Sequence, residues 1–398
     1  PLLLNLGGGI SFISYALGGL FLLPVVWTLA ALARRHPESG GLYVYTRTYR
    51  SETLGFVAGW SYFFGKTISA GLIVHALVLL LRQLFPLLLL FPVPLLDASI
   101  MILLVGLNML GVRVGGIVQW LFIAAKAVPF FALLCLMVRC GDWSLVTNAP
   151  MNLSLFIGML PVAVYAMVGF EMTCALAHLF HQPKQSVRPI LLGGFTVVVV
   201  SVMLLQLASG TLVTAEMVRG VPFFGVIATT YLPFFALAPR VLHAAVLVSM
   251  LGGAFGMLAG NAWNLHRLVE EGHFPARRLL QSINKQQVPW ACLLVEVIIA
   301  VLSVNISSEL LSLQKMSIFG VVLAFCLTMY AAFGALDSRN KPLVSPVISS
   351  AAIVSTAVLA LLALYYIYCH GVSLPYLLLF AAGFFAKRFG GGVVMQKK

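Results

Sequence analysis

Charge is scarce in this 398-residue chain: only 9% of it is Asp, Glu, Lys or Arg, and just 11 residues are acidic. That scarcity excludes a water-soluble fold. With 61% apolar residues and a mean hydropathy of +1.04, there is more hydrophobic area than one soluble core can bury, and the excess must meet lipid. Long polar linkers and low-complexity tracts are missing too, which leaves a single membrane domain over residues 1–398. Cys135, Cys140, Cys174, Cys292, Cys326 and Cys369 form no CxxC pair, so neither a disulfide frame nor a cysteine metal site is indicated, and they read as small core residues. No nucleophile motif, phosphate loop or zinc signature supports an enzyme or a cofactor, and no repeated pore motif argues for a channel. His75, His178, His181, His243, His266, His273 and His370 share no metal spacing and read as loop or interface residues.

What the chain has instead is apolar length. A bilayer core of about 30 Å takes about 20 apolar residues per helix, and such windows recur over residues 10–33, 55–82, 97–112, 115–138, 153–178, 189–213, 236–267, 288–305, 315–335, 344–369 and 373–387. The runs are continuous rather than alternating, which favours helices over a barrel. The net charge of +13 follows the resulting topology. With the loop after the first span placed inside, most basic residues fall on that face, among them Arg34, Arg35, Arg47, Arg50, Arg267, Arg277, Arg278, Arg339, Lys341, Lys397 and Lys398. Arg82, Arg139, Arg219, Arg240 and Lys315 fall on the other. This positive-inside bias implies attraction to an anionic inner leaflet, and without an aromatic-interleaved basic patch nucleic acid is not an expected partner. Asn152 and Asn305 each begin an N-x-S sequon, a weak pattern relevant only in a secretory pathway. From Gly8 to Pro37 the chain spans roughly 43 Å as helix, enough for one crossing and not two, so a preceding segment is expected to be missing or lost.

The rare polar residues inside apolar runs are the candidates for function. In LPVAVYAMVGFEMTCALA, residues 160–177, Gly169 and Glu171 lie at mid-span, where an ionisable group is costly. A break there would offer backbone groups and a helix N-terminus to a ligand; the alternative is an intact helix with Glu171 capped by a neighbour or protonated. Lys66 and Lys126 each lie about 11 residues into a span, near the midplane, and should face the bundle interior. Glu171 is the natural partner of at least one, either at a substrate site or as a pair that merely ties helices together. Glu296 lies about six residues from a helix start at Trp290 and reads as an interfacial or gate residue. The stretch LGGAFGMLAGNAW, residues 251–263, has the small residues that let helices approach in lipid.

In order, ARRHPESGGLYVYTRTY at 33–49, GFVAGW at 55–60, LNMLGVRVGGIVQ at 107–119, VYAMVGFEMTCALA at 164–177 with QPKQSVRPILLGG, and LGGAFGMLAGNAW followed by EEGHFP and INKQQVP resemble the amino acid, polyamine and organocation (APC) transporter superfamily. Within it they resemble the basic amino acid and polyamine antiporter branch, nearly end to end. The resemblance implies an all-α LeuT-like fold with two inverted five-helix repeats and about 11 transmembrane helices present. Residues 1–6 would be the tail of a largely missing helix 1, 10–138 the rest of the first repeat, 153–335 the second and 344–387 two C-terminal helices. It further implies an aromatic gate at Tyr165, an unwound turn at Ala166, Met167, Val168, Gly169 and Phe170, and Glu171 opening the second half-helix. Lys66 would stand at a substrate-contact position. Lys126 would take the place of a sodium ion, with Glu171 sharing in ion coupling. Ala254 would stand where arginine exchangers carry a bulky aromatic, with Phe255 beside it. The small-residue turn of helix 1 that binds a substrate carboxylate is absent from the chain.

The function implied is sodium-independent, secondary active transport of a small zwitterionic or anionic amino acid by alternating access, through proton-coupled uptake or exchange. The expected setting is the cytoplasmic membrane of a bacterium, with lipid and an amino acid as partners and a homodimer compatible. The alternative is a non-transporting sensor or scaffold, or a truncated permease remnant.

Overall fold

A computed structural model describes residues 7–148, 153–214, 217, 223–232, 238–335, 342–370 and 374–390. The expectations for residues 1–6, Asn152, Arg219, Arg339, Lys341, Lys397 and Lys398 fall outside them, as do the side chains of Cys369 and His370. In chain order the principal helices are α1 (Phe12–Arg35, entered through a 3-10 turn at Gly8–Ser11), α2 (Gly41–Tyr49), α3 (Glu52–Leu84), α4 (Val93–Met109), α5 (Val112–Cys140), α6 (Leu153–Met167), α7 (Met172–Ala175), α8 (Pro183–Leu212), α9 (Phe223–Tyr231), α10 (Ala238–Glu270), α11 (Trp290–Ile306), α12 (Leu310–Ala332), α13 (Pro346–His370) and α14 (Leu374–Gly390).

Each of the eleven expected spans contains helix. Among the described residues, eight segments are long and apolar enough to cross a membrane, and α4 and α11 are shorter apolar helices of 17 residues. The chain is therefore an all-helical, multi-pass membrane protein. Several bounds differ from the apolar runs. α4 starts at Val93 rather than 97, because Pro92 is extended and Pro94 occupies the first turn, where its missing N–H costs nothing. α8 starts at Pro183, so the expected start at Pro189 is an interior proline. α2 and α9, each of nine residues, are too short for a hydropathy window to reveal.

The chain divides into two compact units. The first comprises residues 1–23, 120–170 and 193–250. Its core gathers Leu133, Met137, Ala208, Leu212, Val226, Ile227 and Leu242 from α5, α8, α9 and α10. Tyr231 Oη closes the α9 end by donating to the Leu212 carbonyl at 2.6 Å. The start of α1 is held by small residues and polar pins. Gly9 and Gly210 pack backbone to backbone, and Gln206 Nε2 donates to Ser11 Oγ at 2.6 Å.

The second unit comprises residues 24–119, 171–192 and 251–398. At 33 residues, α3 is about 50 Å long, more than one bilayer core, and it is the axis against which α2, α4, α11, α12 and α14 pack. Its approach to α12 depends on two glycines. A Cβ at Gly320 would strike the Ser61 carbonyl and Gly65, and one at Gly65 would strike the Ser317 carbonyl and Val321 nitrogen. In lipid this close backbone contact replaces the hydrophobic effect as the packing force. On α14, Gly383 lies flat on the Trp60 ring, whose Nε1 donates to the Phe380 carbonyl at 2.8 Å.

Candidate functional site

The chain breaks where the residue pattern leaves it least able to continue a helix. α6 ends at Met167. The Val168 N–H is shared between the Val164 and Tyr165 carbonyls at 3.1 and 3.3 Å, and Gly169 takes φ +148°, a conformation that any side chain would strain. Helical geometry resumes at Glu171, whose carbonyl accepts from Cys174 N at 2.9 Å. No neighbour would touch a Cβ at Gly169, so the need for glycine there is conformational rather than steric. Tyr165, Val168 and Gly169 are half-buried and Ala166 is exposed. Met167 is buried over Gly18, and Phe170 stands edge-on to Phe195 at 5.2 Å.

Glu171 belongs to the second unit and meets Lys66 there. Lys66 Nζ lies 2.7 Å from Glu171 Oε1, with neither side chain more than 2% exposed. Tyr62, one helical turn before Lys66 on α3, donates its hydroxyl to the same oxygen at 3.1 Å, and its ring centroid is 5.8 Å from the ammonium. A lone charge at this depth is untenable, so the pair survives because each partner cancels the other's cost. Lys126 is half-buried on α5 in the first unit and has no carboxylate within ion-pair distance among the described residues.

Glu296 departs from its expected interfacial place. It is fully buried on α11, where Oε1 accepts from Asn261 Nδ2 at 2.9 Å. The same amide nitrogen lies 3.0 Å from the Phe63 carbonyl and 3.1 Å from Thr67 Oγ1. The sequence placed Glu296 by distance from Trp290 alone, and the packing of α11 along α3 carries it inward. Lys315, expected on the outer face, is likewise buried in α12. His75 and His266 are interior rather than loop residues. His75 is 1% exposed, with Nδ1 2.8 Å from Asp97 Oδ2 and Nε2 donating to the Ser308 carbonyl at 3.1 Å.

Ala254 and Phe255 are buried on α10. Phe255 lines a cavity of about 330 Å³ in the second unit, together with Asn108, Gly115, Gln119, Gly256 and Trp263. That volume lies at the low end of ligand pockets. Two stretches singled out in the sequence, residues 107–119 and 251–263, thus converge on one space. Asn108 Nδ2 donates to the Leu104 and Phe255 carbonyls at 3.0 and 3.4 Å, and Gln119 Oε1 is buried without a partner. In the sequence Asn108, Gln119 and Trp263 stand out only as parts of those stretches. Their polarity or bulk within glycine-rich runs was the signal available.

The basic face carries an ion network that composition had shown only as a charge excess. Arg47 pairs with Glu271, and Arg267 reaches Glu271 at 3.0 Å, Glu270 at 3.3 Å and Glu38 at 3.5 Å. Tyr43 Oη meets His273 Nε2 at 2.9 Å beneath it. Burial, with Lys387 adding to it, lowers the His273 pKa to about 4, and burial raises Tyr43 to about 12.

Residues 2–374 match the amino acid permease family model. The chain is 22% identical over 330 residues to the serine/threonine exchanger SteT of Bacillus subtilis (strain 168), covering 80% of this chain and 74% of that protein. It is 23% identical over 200 residues to the uncharacterized amino acid permease YtnA of the same organism, covering 46% of this chain and 42% of that protein. The family is one of transporters and not of enzymes, and its substrates are amino acids. The buried polar clusters described above thus belong to a membrane carrier: the chain is a member of the amino acid permease family, within the APC superfamily.

Proposed function

We propose that the protein is a sodium-independent carrier of small neutral amino acids, working by exchange or proton-coupled uptake through alternating access in a bacterial cytoplasmic membrane. The observation that carries this reading is the Lys66–Glu171 pair at 2.7 Å. It leaves no unbalanced negative charge to attract a cationic side chain. At an effective dielectric of about 20, an unpaired ammonium about 5 Å from a like charge costs it roughly 3 kcal/mol, on the order of a hundredfold in affinity, and pairing with Glu171 cancels much of this. The balanced pair separates the chain from carriers of basic amino acids and agrees with a serine/threonine exchanger among its relatives. Anionic substrates are the second class that the same charge tolerates.

In this reading the interrupted segment from Tyr165 to Phe170 holds the substrate's α-amino group through its carbonyls, and Glu171 opens the second half-helix. Ala254 stands where carriers of arginine place a bulky aromatic, and Phe255, which lines the cavity, borders the substrate route. Lys126 supplies a fixed positive charge where a sodium-coupled carrier holds its ion. Residues 10–138 and 153–335 form the two inverted repeats, and residues 344–387 add two further helices. The test is competition for labelled serine uptake into proteoliposomes by leucine, glutamate and arginine, in the parent and in Lys66→Asn. Leucine and glutamate should compete better than arginine in the parent, and arginine should gain most in the variant. If arginine competes best in the parent and the substitution weakens it, the substrate assignment is wrong.

A further inference from the structure

Three acidic side chains are buried among the described residues: Asp97, Glu171 and Glu296. Two lie against basic side chains, since Glu171 pairs with Lys66 at 2.7 Å and Asp97 Oδ2 lies 2.8 Å from His75 Nδ1. Glu296 has none. Its Oε1 meets only the neutral Asn261 amide, and its Oε2 is buried with no partner at all. The titratable groups on the neighbouring elements are committed elsewhere. Tyr62 and Lys66 on α3 are held by Glu171, His266 on α10 donates to the Gln281 carbonyl, Cys292 on α11 to the Leu280 carbonyl, and Tyr376 on α14 to the Ser303 carbonyl. His75 on α3 is held between Asp97 Oδ2 and the Ser308 carbonyl. A carboxylate so placed is desolvated and uncompensated, and a buried group in that position takes up a proton instead.

The Asn261 amide makes the protonation state legible to the rest of the unit. Its nitrogen lies within 3.1 Å of three acceptors, Glu296 Oε1, the Phe63 carbonyl and Thr67 Oγ1, but carries only two hydrogens. An ionised Glu296 claims one of them in a charge-assisted bond. A protonated Glu296 competes weakly and releases it to α3. Phe63 and Thr67 flank Lys66 within one turn of α3, so the competition bears directly on the turn that presents Lys66 to Glu171.

We propose that Glu296 is an exchangeable proton site of this carrier, read by Asn261 and relayed to the Lys66 turn of α3. The proton binds as Glu296 carboxylate plus H⁺ giving the carboxylic acid, and leaves to water when α11 is opened to one side. The coupling half of this proposal rests on the transport reading above; the proton site does not. The two are separated by using two measurements. In purified protein in lipid nanodiscs, the infrared carbonyl band of a protonated carboxylic acid should be present at neutral pH, be lost in Glu296→Gln and shift in Glu296→Asp. In proteoliposomes, an inward gradient of one pH unit should raise accumulation of labelled serine by up to about tenfold for one proton per substrate. The ratio with and without the gradient should fall to about one in Glu296→Gln, whatever the residual rate, and fall in Asn261→Ala while the infrared band persists. A carboxylic acid band unchanged by either Glu296 substitution overturns the proton site. Gradient stimulation that survives Glu296→Gln overturns its coupling. If the parent carries no amino acid but the band behaves as expected, the transport reading fails and the proton site stands.

Discussion

Removing one partner of the buried ion pair should cost far more than removing both. In Glu171→Gln the Lys66 ammonium, 2% exposed, loses its carboxylate and keeps the Tyr62 ring 5.8 Å away. In Lys66→Met the Glu171 carboxylate keeps the Tyr62 hydroxyl at 3.1 Å as a neutral donor. An uncompensated buried charge of this kind costs about 3–5 kcal/mol, whereas replacing both partners with neutral groups of similar volume is often neutral or stabilising. Each single substitution should therefore destabilise the protein by roughly 3 kcal/mol or more, while the double variant stays within about 1 kcal/mol of the parent, far from the roughly 6 kcal/mol of independent effects. Equilibrium unfolding in mixed SDS micelles, followed by tryptophan fluorescence, measures all four corners of the cycle. Single effects below about 1 kcal/mol, or a double variant equal to the sum of the singles, would show that the two side chains do not depend on each other and would refute the pairing argument.

Gly320→Leu should abolish folding or lower stability by at least the 1–3 kcal/mol typical of overpacking, because its Cβ meets the Ser61 carbonyl and Gly65 backbone rather than a movable side chain; monodisperse elution of the variant at parental yield would contradict this. For His273, the folded pKa of about 4 lies below the ordinary value of 6.5, so the folded state binds fewer protons between those values. Its stabilising contribution is complete above about pH 6.5 and is lost as pH falls toward 4; His273→Gln should flatten that part of the melting temperature against pH curve. Lys126→Ala should lose at least tenfold in sodium-free exchange, and full proton-coupled activity of the variant would dismiss a charge role for Lys126.

The helices were legible because lipid imposes a simple rule. A run of apolar residues long enough to cross has few alternatives to helix, and all eleven runs contain one. The break after Met167 was legible only as one of two readings, since Gly169 beside an acid at mid-span fits either a turn or an intact helix with the acid capped, and the positive φ of Gly169 decides for the turn. The partner of Glu171 could be guessed from the rarity of midplane charge. Glu296 could not be placed, because its depth depends on how α11 leans on α3 and on an asparagine 35 residues away on another helix. The His75–Asp97 pair was hidden for the same reason: its residues are 22 positions apart, and nothing local in either run announces the other. α2 escaped notice because its nine residues, the first six of them buried, pack against α3 and α12 without needing a membrane span's length.

Counterflow in sodium-free proteoliposomes tests the central claim most directly. Vesicles loaded with unlabelled serine and diluted into a trace of labelled serine, with sodium replaced by N-methylglucamine on both sides, should show a transient overshoot of label that vanishes when the internal serine is omitted. No overshoot without sodium, together with a clear one when sodium is restored at the same membrane potential, would contradict the account.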